Sequence, residues 1–426
     1  MSSTQLRSLE IVAETSFCGL SASQTTPTDT GLTYSVVDFL DLTQLLVEGE
    51  PLVDDPSGLR GGVYANPDRP VVIDDDHPVR GSFSFDFYLK SWASTDKGIL
   101  DLLKTRFDIS ASASVSSTIS TATGTSQAVT ASTAVNTSAG GVCMVVHDSL
   151  TLYGYVCGYT SGTSFNLTPN IVDRGAAVGD DINGCMTLRI PTQGLPATTS
   201  SCAIRIKGQG WTQTCLGCTL TSLSMTNGGD SRGVKCTATV DCAYVVTNTS
   251  SGTPAVLAAD SAIGILHQIS SPLALGETFD LTTGSFTSGE DASSLSTLPS
   301  QCVDEWTLTI DFTTAYSSCG SYIVGRSRAE TVQADISLDM ELASLAAYSD
   351  IESQWLNQTA RTVLLGFTGS ESGNFIGGAI AIPAAVVKDF TPAPDLGSDF
   401  ARSHVVFAPG PCPVASQPCF VIALRN

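Results

Sequence analysis

Long segments of the chain alternate apolar and polar residues without interruption. The even positions from 234 to 246 are apolar, and the positions between them include Lys235, Thr237, Thr239 and Asp241. Residues 331–342 alternate in the same way. A period of two over about a dozen residues predicts β-strands with one buried face and one solvent-exposed face. At about 3.3 Å per residue each run would reach roughly 40 Å, which favours a structural framework over a compact catalytic domain.

Shorter patterns predict the remaining elements and a repeated order. Further strands are predicted over residues 32–39, 82–90, 305–312 and 331–341. Ser94 is a suitable N-cap for a helix over about 95–107 that has one apolar face. A second short helix is predicted after the alternating run, over 342–348. Because each helix follows an alternating strand, the order predicts an internal duplication, and two unrelated domains are the alternative.

Composition indicates a globular protein with an acidic surface. The chain has 426 residues, of which 42% are hydrophobic and 14% charged, so it can fill two cores of ordinary size. Lys and Arg number 20 and Asp and Glu number 41, which gives a formal net charge of -21. Clustered cations are needed to bind phosphates, so this balance argues against a surface that grips nucleic acid. It suits a surface that repels nucleic acid.

No apolar run predicts export or membrane insertion. Residues 1–11 contain no apolar segment of signal-peptide length, and no run approaches the roughly 18 apolar residues that span a bilayer. Synthesis and assembly in a cytosol are therefore expected. The 13 cysteines are scattered and mostly occupy apolar strand positions, so they are predicted to be buried thiols and not disulfides.

Two low-complexity stretches separate the predicted blocks. Residues 110–141 consist almost entirely of Ser, Thr, Ala, Val and Gly, and residues 247–300 are similar. This composition predicts a loop or linker that cannot bury a core of its own. The alternative is an arm that is ordered as an added strand on a neighbouring subunit. The predicted domains are a first lobe over 1–246, a linker or insertion over 247–300 and a second lobe over 301–426.

Two short motifs are similar to catalytic signatures, and each has a simpler interpretation. Ser231 lies in a Gly-Asp-Ser-Arg-Gly segment, but no preceding histidine has the context of a serine protease. A hairpin turn between alternating runs is predicted there instead. Asp29-Thr30-Gly31 is similar to an aspartic protease motif, yet it follows no apolar strand and has no second copy.

Metal binding is the other candidate chemistry. Cys215 and Cys218 have the spacing of metal ligands, and Cys236 and Cys242 would be the second pair. That second pair lies within one strand at inward positions, so core cysteines are predicted. Residues 74–77 form the densest acidic cluster, for which a solvated loop is predicted and calcium binding is the alternative. No catalytic residue, metal or cofactor is predicted.

Four distributed segments share features with one family. Residues 14–19 are similar to a Glu-Thr-x-Phe-Gly opening with one extra residue, Cys18. Residues 79–90 and the helix after them resemble a strand and apolar helix, and residues 217–246 resemble a hairpin that begins with Gly-Cys. Residues 421–426 resemble a closing strand. In these features the chain resembles the tail tube proteins of long-tailed, siphovirus-like bacteriophages.

This resemblance implies a non-enzymatic protein of the virion tail that is assembled in the host cytoplasm. It implies a mainly β fold of two quasi-repeated β-sandwich lobes with one short helix each, whose inner strands join into a ring-shaped β-barrel. Rings would stack around a channel for genome ejection. Three copies would supply six lobes, and a true hexamer is the alternative. The implied partners are further copies, the tail terminator, tape measure and distal tail proteins, and genome DNA that passes without specific binding; no membrane is implied.

An acidic channel would repel DNA phosphates. The candidate lumen or ring-rim residues are the carboxylates on the polar sides of the framework strands: Asp86, Asp241, Asp311, Asp335, Asp339 and Glu341. Two other function classes stay open. A capsid-decorating or tail-associated virion protein would form lattices or isolated trimers, and a secreted carbohydrate-binding or hydrolytic β-protein would need export and paired carboxylates or aromatic platforms.

Overall fold

The structure, a computed structural model, describes the chain in segments. The described residues are 7–19, 29–43, 46–48, 53–54, 72–73, 80–90, 97–110, 116–122, 127–148, 150–172, 174–191, 201–227, 233–248, 254, 265–280, 285–286, 303–312, 316–319, 322–326, 332–341, 345–371, 374–391, 402–410 and 418–425. These segments form 29 β-strands, two α-helices and a 3₁₀ turn at Phe17–Gly19. The chain is therefore mainly β, as the alternating patterns predict. Within the described part, no helix is long and apolar enough to cross a membrane.

The part of the chain up to residue 191 contains fifteen strands and the first helix. They are β1 (Ser8–Ala13), β2 (Ser35–Val37), β3 (Asp41–Leu42), β4 (Leu46–Glu48), β5 (Val53–Asp54), β6 (Val72–Ile73), β7 (Arg80–Tyr88), α1 (Lys97–Leu103), β8 (Asp108–Ile109), β9 (Ser116–Ala122), β10 (Ala128–Ala131), β11 (Val142–His147), β12 (Leu150–Ser161), β13 (Ser164–Thr168), β14 (Asp181–Gly184) and β15 (Met186–Pro191).

The remainder contains fourteen strands and the second helix. They are β16 (Cys202–Gly208), β17 (Trp211–Thr226), β18 (Lys235–Cys242), β19 (Tyr244–Asn248), β20 (His267–Asp280), β21 (Ser285–Phe286), β22 (Val303–Phe312), β23 (Tyr316–Cys319), β24 (Tyr322–Arg326), β25 (Val332–Glu341), α2 (Leu345–Asn357), β26 (Ala360–Glu371), β27 (Asn374–Phe390), β28 (Arg402–Pro409) and β29 (Pro418–Arg425).

Seven antiparallel strands form a continuous sheet that we call the framework sheet. Their order is β7–β18–β17–β22–β25–β28–β27. The short strands β3 and β4 extend it beyond β7. Alternation buries one face, where Phe85, Val240 and Leu308 each have at most 1% of their surface exposed. Each such side chain contributes roughly 1.5–3 kcal/mol by leaving water, so the alternating pattern fixes which face is polar.

Two strands are long enough to belong to two layers. The first half of β17 pairs with β16 and β19, and its second half pairs with β18 and β22. Gly217 lies between the halves with φ of +62°, and a Cβ there would meet Cys18 Sγ at 2.5 Å. In the same way, the first half of β27 pairs with β26 and β29, and its end pairs with β28. The second layer continues to β1 beyond β16 and to β20 beyond β26, and it closes the main core.

Six strands between α1 and β15 form a separate closed barrel. Their order is β9–β10–β13–β12–β11–β14, and β14 pairs back to β9. The barrel has its own core, in which Val145, Phe165 and Leu167 are buried. The interpretation of 110–141 as a loop or arm without a core is therefore wrong for the described part, because β9 and β10 lie within it. β9 and β10 need only isolated apolar residues, such as Ile119 and Val129, to join the barrel core, because the other four strands supply the rest of its interior.

The barrel packs on the second layer near the start of β27. Tyr153 on β12 donates from its hydroxyl to the Phe367 carbonyl and accepts from the Gly378 amide at 3.0 Å. A separate cluster of buried residues, including Met144 of the barrel with Ala379 and Val421 of the sheet, fills the contact. β15 leads out of the barrel and pairs with β8 and β29. The barrel is thus anchored by packing, hydrogen bonds and a strand.

Several predicted elements differ from the structure in length. The run over 234–246 is two strands, because Ala243 leaves the alternation and donates its amide to the Leu216 carbonyl. The first helix ends at Leu103, where Thr105 and Arg106 make tighter bonds to carbonyls three residues earlier. The second helix, predicted over 342–348, is described from Leu345 and runs to Asn357. The stretch 247–300, predicted as a linker or insertion, contains β20, which pairs with β26.

Candidate functional site

The polar face of the framework sheet carries the predicted acidic residues. A row of directly opposed residues crosses five strands, in the order Asp86, Thr237, Ser224, Thr309 and Asp335. Directly opposed residues of antiparallel strands project to the same face of a sheet. The face is therefore shared by both halves of the chain, and hydroxyl side chains occupy much of it.

Asp86 on β7 is partnered on this face. It accepts a hydrogen bond from Thr237 Oγ1 at 2.7 Å, and its carboxylate lies 2.5 Å from Lys235 Nζ. The hydrogen bond and the charge of Asp86 raise the pKa of Lys235. Asp41 on β3 is directly opposite Asp86, so Lys235 offsets the repulsion between two neighbouring carboxylates.

Asp335 on β25 is partnered in a similar way at the other end of the row. Its carboxylate lies 2.6 Å from Lys388 Nζ and accepts a hydrogen bond from Gln333 Nε2 at 2.8 Å. Asp311 on β22 is exposed, opposite Ser222 and Gln333. The face is thus less acidic than the carboxylates alone predict, because lysines neutralise part of it.

The remaining candidate carboxylates lie on the same sheet. Asp241 on β18 is half-buried and stands opposite Ser82 and Thr219. The backbones of Asp339 and Glu341 lie in β25, opposite His404 and Arg402 respectively. The side chains of Asp339 and Glu341 are outside the described part of the structure. The structure therefore brings Asp86, Asp241, Asp311 and Asp335 onto one face.

The second feature of the site is a pair of strand edges. The second half of β17 is paired on both sides, with β18 on one side and β22 on the other. The corresponding end of β27 pairs with β28 on one side, through Ala385 to Phe390. On the other side, β26 pairs only as far as Ala385. Residues 386–389 therefore present an edge that no strand of the described part covers, and such an edge is a template for a further strand.

One serine and histidine pair lies on the polar face. Ser337 Oγ is 3.2 Å from His404 Nε2, which sequence reasoning missed because β25 and β28 are far apart in the chain. Such a pair has the geometry of a nucleophile and a base. β25 is paired on both sides at this position, so sheet hydrogen bonds use the backbone amides that an oxyanion hole would need. We interpret the contact as a cross-strand hydrogen bond.

The other motifs singled out in the sequence have structural roles or lie outside the described residues. Asp29 forms an ion pair with Arg205 and accepts a hydrogen bond from the Tyr34 hydroxyl at 2.9 Å, which holds a loop on the second layer. The turn containing Ser231 and the acidic cluster at 74–77 lie outside the described residues. In the described part, no group of three or more His, Cys, Asp or Glu side chains is arranged to hold a metal ion.

Comparison with known proteins adds no relative. No protein-family model matches the chain, and no curated protein matches its sequence.

Proposed function

We propose that this protein is a structural subunit that joins edge to edge through its framework sheet into rings, which stack into the tail tube of a long-tailed bacteriophage. The observation that carries the proposal is the contrast between two strand edges. One edge-to-edge joint, β17 with β22, is made within the chain. The corresponding edge of β27 faces no strand of the described part.

An internal duplication accounts for the strand order and supports the proposal. In the first half, β7 precedes α1, and β18 lies between β7 and β17. In the second half, β25 precedes α2, and β28 lies between β25 and β27. The second layer repeats too, since β16 and β19 pair with β17 as β26 and β29 pair with β27. On this proposal the barrel is an insertion in the first lobe, and β20 belongs to the second lobe.

On this proposal, the strand order of the first lobe supplies a partner for the open edge. In the second lobe, β22 pairs with β25 and also with β17 of the first lobe. In the first lobe, β3 and β4 hold the place of β22, because they pair with β7. By the same geometry, β3 and β4 of a second copy would pair with residues 386–389. Three copies would then make six joints, three within chains and three between them, and close the ring without leaving an edge.

The polar face suits the wall of a channel for DNA. If the framework sheets form the inner barrel, the hydroxyl-rich face with Asp241 and Asp311 would line the lumen. Hydroxyl groups and carboxylates do not hold phosphates as clustered cations do, so genome DNA would slide past. The protein would then belong to the virion tail, with the terminator, tape measure and distal tail proteins as partners, and would need no enzymatic activity.

Electron microscopy of the purified protein tests this proposal. Concentrated protein should form rings or tubes of the order of 10 nm across, as expected for a barrel of many strands with a second layer. A monodisperse monomer under all salt conditions would contradict it. Isolated trimers or icosahedral lattices would favour the capsid-decorating class instead.

A matched pair of variants makes the test specific to the edge. Lys388→Pro fixes φ at the β-bulge between Val387 and Asp389, so it should deform the open edge and prevent assembly while the monomer stays folded. Lys388→Ala removes the ion pair with Asp335 but keeps the backbone amide, so it should still assemble. Equal assembly of both variants would exclude this edge as the joint.

A further inference from the structure

Four buried cysteines surround the point where β17 passes from one layer to the other. Cys202, Cys215, Cys218 and Cys242 all have no exposed surface. Cys218 Sγ lies 2.9 Å from Cys242 Sγ, and Cys202 Sγ donates to the Cys218 carbonyl at 3.5 Å. The structure holds all four as thiols. Two sulfurs are therefore in direct contact at a bend of the framework.

The backbone at this contact has the geometry that a disulfide needs. Thr219 on β17 is directly opposite Asp241 on β18, so Cys218 and Cys242 are the next residues along the two strands. Opposed residues of antiparallel strands have Cα atoms about 4.5–5.5 Å apart. A disulfide spans Cα distances of about 4.4–6.8 Å. The bond can therefore form without movement of either strand.

The same contact argues against a metal site, which the spacing of Cys215 and Cys218 left open as an alternative. Zinc bonds to thiolate at about 2.3 Å in tetrahedral geometry, which places two ligand sulfurs roughly 3.8 Å apart. The observed separation of 2.9 Å between Cys218 and Cys242 is too short for two ligands of one ion. Oxidation is the chemistry that such close thiols favour.

We propose that Cys218 and Cys242 form a redox-active thiol pair that hydrogen peroxide oxidises to a disulfide. The inference rests on the thiols and not on ring assembly. Because the sulfurs are buried, the oxidant must be small and neutral and must enter through local opening of the strands. The product would pin β17 to β18 at the bend that joins the two layers.

The reaction begins at one sulfur of the pair. Its thiol loses a proton, the thiolate attacks one peroxide oxygen, the O–O bond breaks, and the sulfenic acid forms with release of hydroxide. That hydroxide becomes water when it takes the proton displaced from the thiol.

One further step completes the reaction. The other thiol of the pair attacks the sulfenic sulfur, an S–S bond forms between Cys218 and Cys242, and the second oxygen leaves as water when it takes the proton of that thiol. In total, two thiols and one peroxide give one disulfide and two waters.

Peptide mapping of the intact protein tests the pair. The protein is treated with hydrogen peroxide, denatured, alkylated and digested without reductant. We expect a cross-linked peptide joining Cys218 to Cys242, loss of two alkylatable thiols per chain, and reversal by dithiothreitol. Absence of that cross-link, or oxidation confined to other cysteines, would overturn the proposal.

Variants test whether the cross-link belongs to this pair. Cys218→Ala should abolish the cross-link at Cys242, because its partner sulfur is lost. Cys236→Ala changes a buried cysteine on the same strand, six residues from Cys242, and should leave the rate of formation of the Cys218–Cys242 cross-link unchanged. Cross-linking of Cys242 to another cysteine at the same rate in Cys218→Ala would contradict the pairing. Because the cross-link in the unmodified chain is measured independently, a variant that misfolds leaves the test intact.

Discussion

The second half of β17 and the end of β27 occupy matching places in the strand order but differ in their surroundings. β17 has β18 on one side and β22 on the other, so its backbone groups are used within the chain. β27 has β28 on one side, while residues 386–389 have no strand of the described part on the other. The unpaired N–H and C=O groups of an edge strand can pair with a strand of another chain. The difference shows that one of two matching strand ends is covered within the chain; in the proposed ring, assembly would cover the other.

The largest expected effect comes from a cavity beneath β22, one of the two strands of the internal joint. Trp306 on β22 is 2% exposed and stacks at 5.4 Å on Phe367 of the second layer. Trp306→Ala should lower the free energy of unfolding by about 3–5 kcal/mol, because it leaves a cavity in the main core. Urea denaturation measures the change, and Thr307→Ala, on the exposed face of β22, is the control with an expected change within about 0.5 kcal/mol. A loss below about 1 kcal/mol would contradict the packing of β22 on the main core.

A second substitution tests whether the barrel contributes to assembly through the framework sheet. Leu167 on β13 is fully buried in the barrel core. Leu167→Ala should destabilise the barrel by about 2–5 kcal/mol yet leave assembly of the framework sheet intact. Hydrogen exchange of β9–β14 and electron microscopy of the same sample measure both effects. If the half-exposed control Ser164→Ala assembles and Leu167→Ala does not, the barrel is part of the ring joint.

A third change concerns the polar face that both edges share. Replacing Asp241 and Asp311 together by Lys should leave tubes assembling but slow genome passage, by a factor of about ten at low salt and less at high salt. Ejection kinetics of phage carrying the variant measure this effect. Replacing both by Asn is the control, since it removes charge without adding cations. Equal kinetics for the Lys and Asn variants would defeat the idea of a repulsive lumen and leave the assembly proposal standing.

The smallest expected effect is loss of the ion pair beside the open edge. Asp335→Asn should change the free energy of unfolding by at most about 1 kcal/mol, because Lys388 is half exposed and water screens the pair. Lys388→Ala should have a similar effect, and the double variant should show that the two are not additive. Thermal unfolding of the monomer gives the values. A loss above about 2 kcal/mol would mean that the pair also orders the end of β27.

Local alternation predicted the framework strands, and non-local contacts decided the rest. A period of two in the sequence predicted β7, β18, β22 and β25, because a strand with one buried face alternates apolar and polar residues whatever its neighbours are. The sequence did not predict the barrel, because β9 and β10 contain few apolar residues and most of the barrel core comes from β11–β14. Asp335 meets Lys388 from 53 positions away, and no local pattern signals such a partner. The Cys218–Cys242 contact likewise depends on strand register.

Amide hydrogen exchange of the two matching edges, compared between monomer and assembled polymer, tests the central claim most directly. In the monomer, amides of residues 386–389 that point away from β28 should exchange fast, whereas those of residues 222–226 should be protected by β22. In the polymer, exchange at 386–389 should slow by at least about 100-fold, with no change at 222–226. Fast exchange at 386–389 in the polymer, or protection there already in the monomer, would contradict the account.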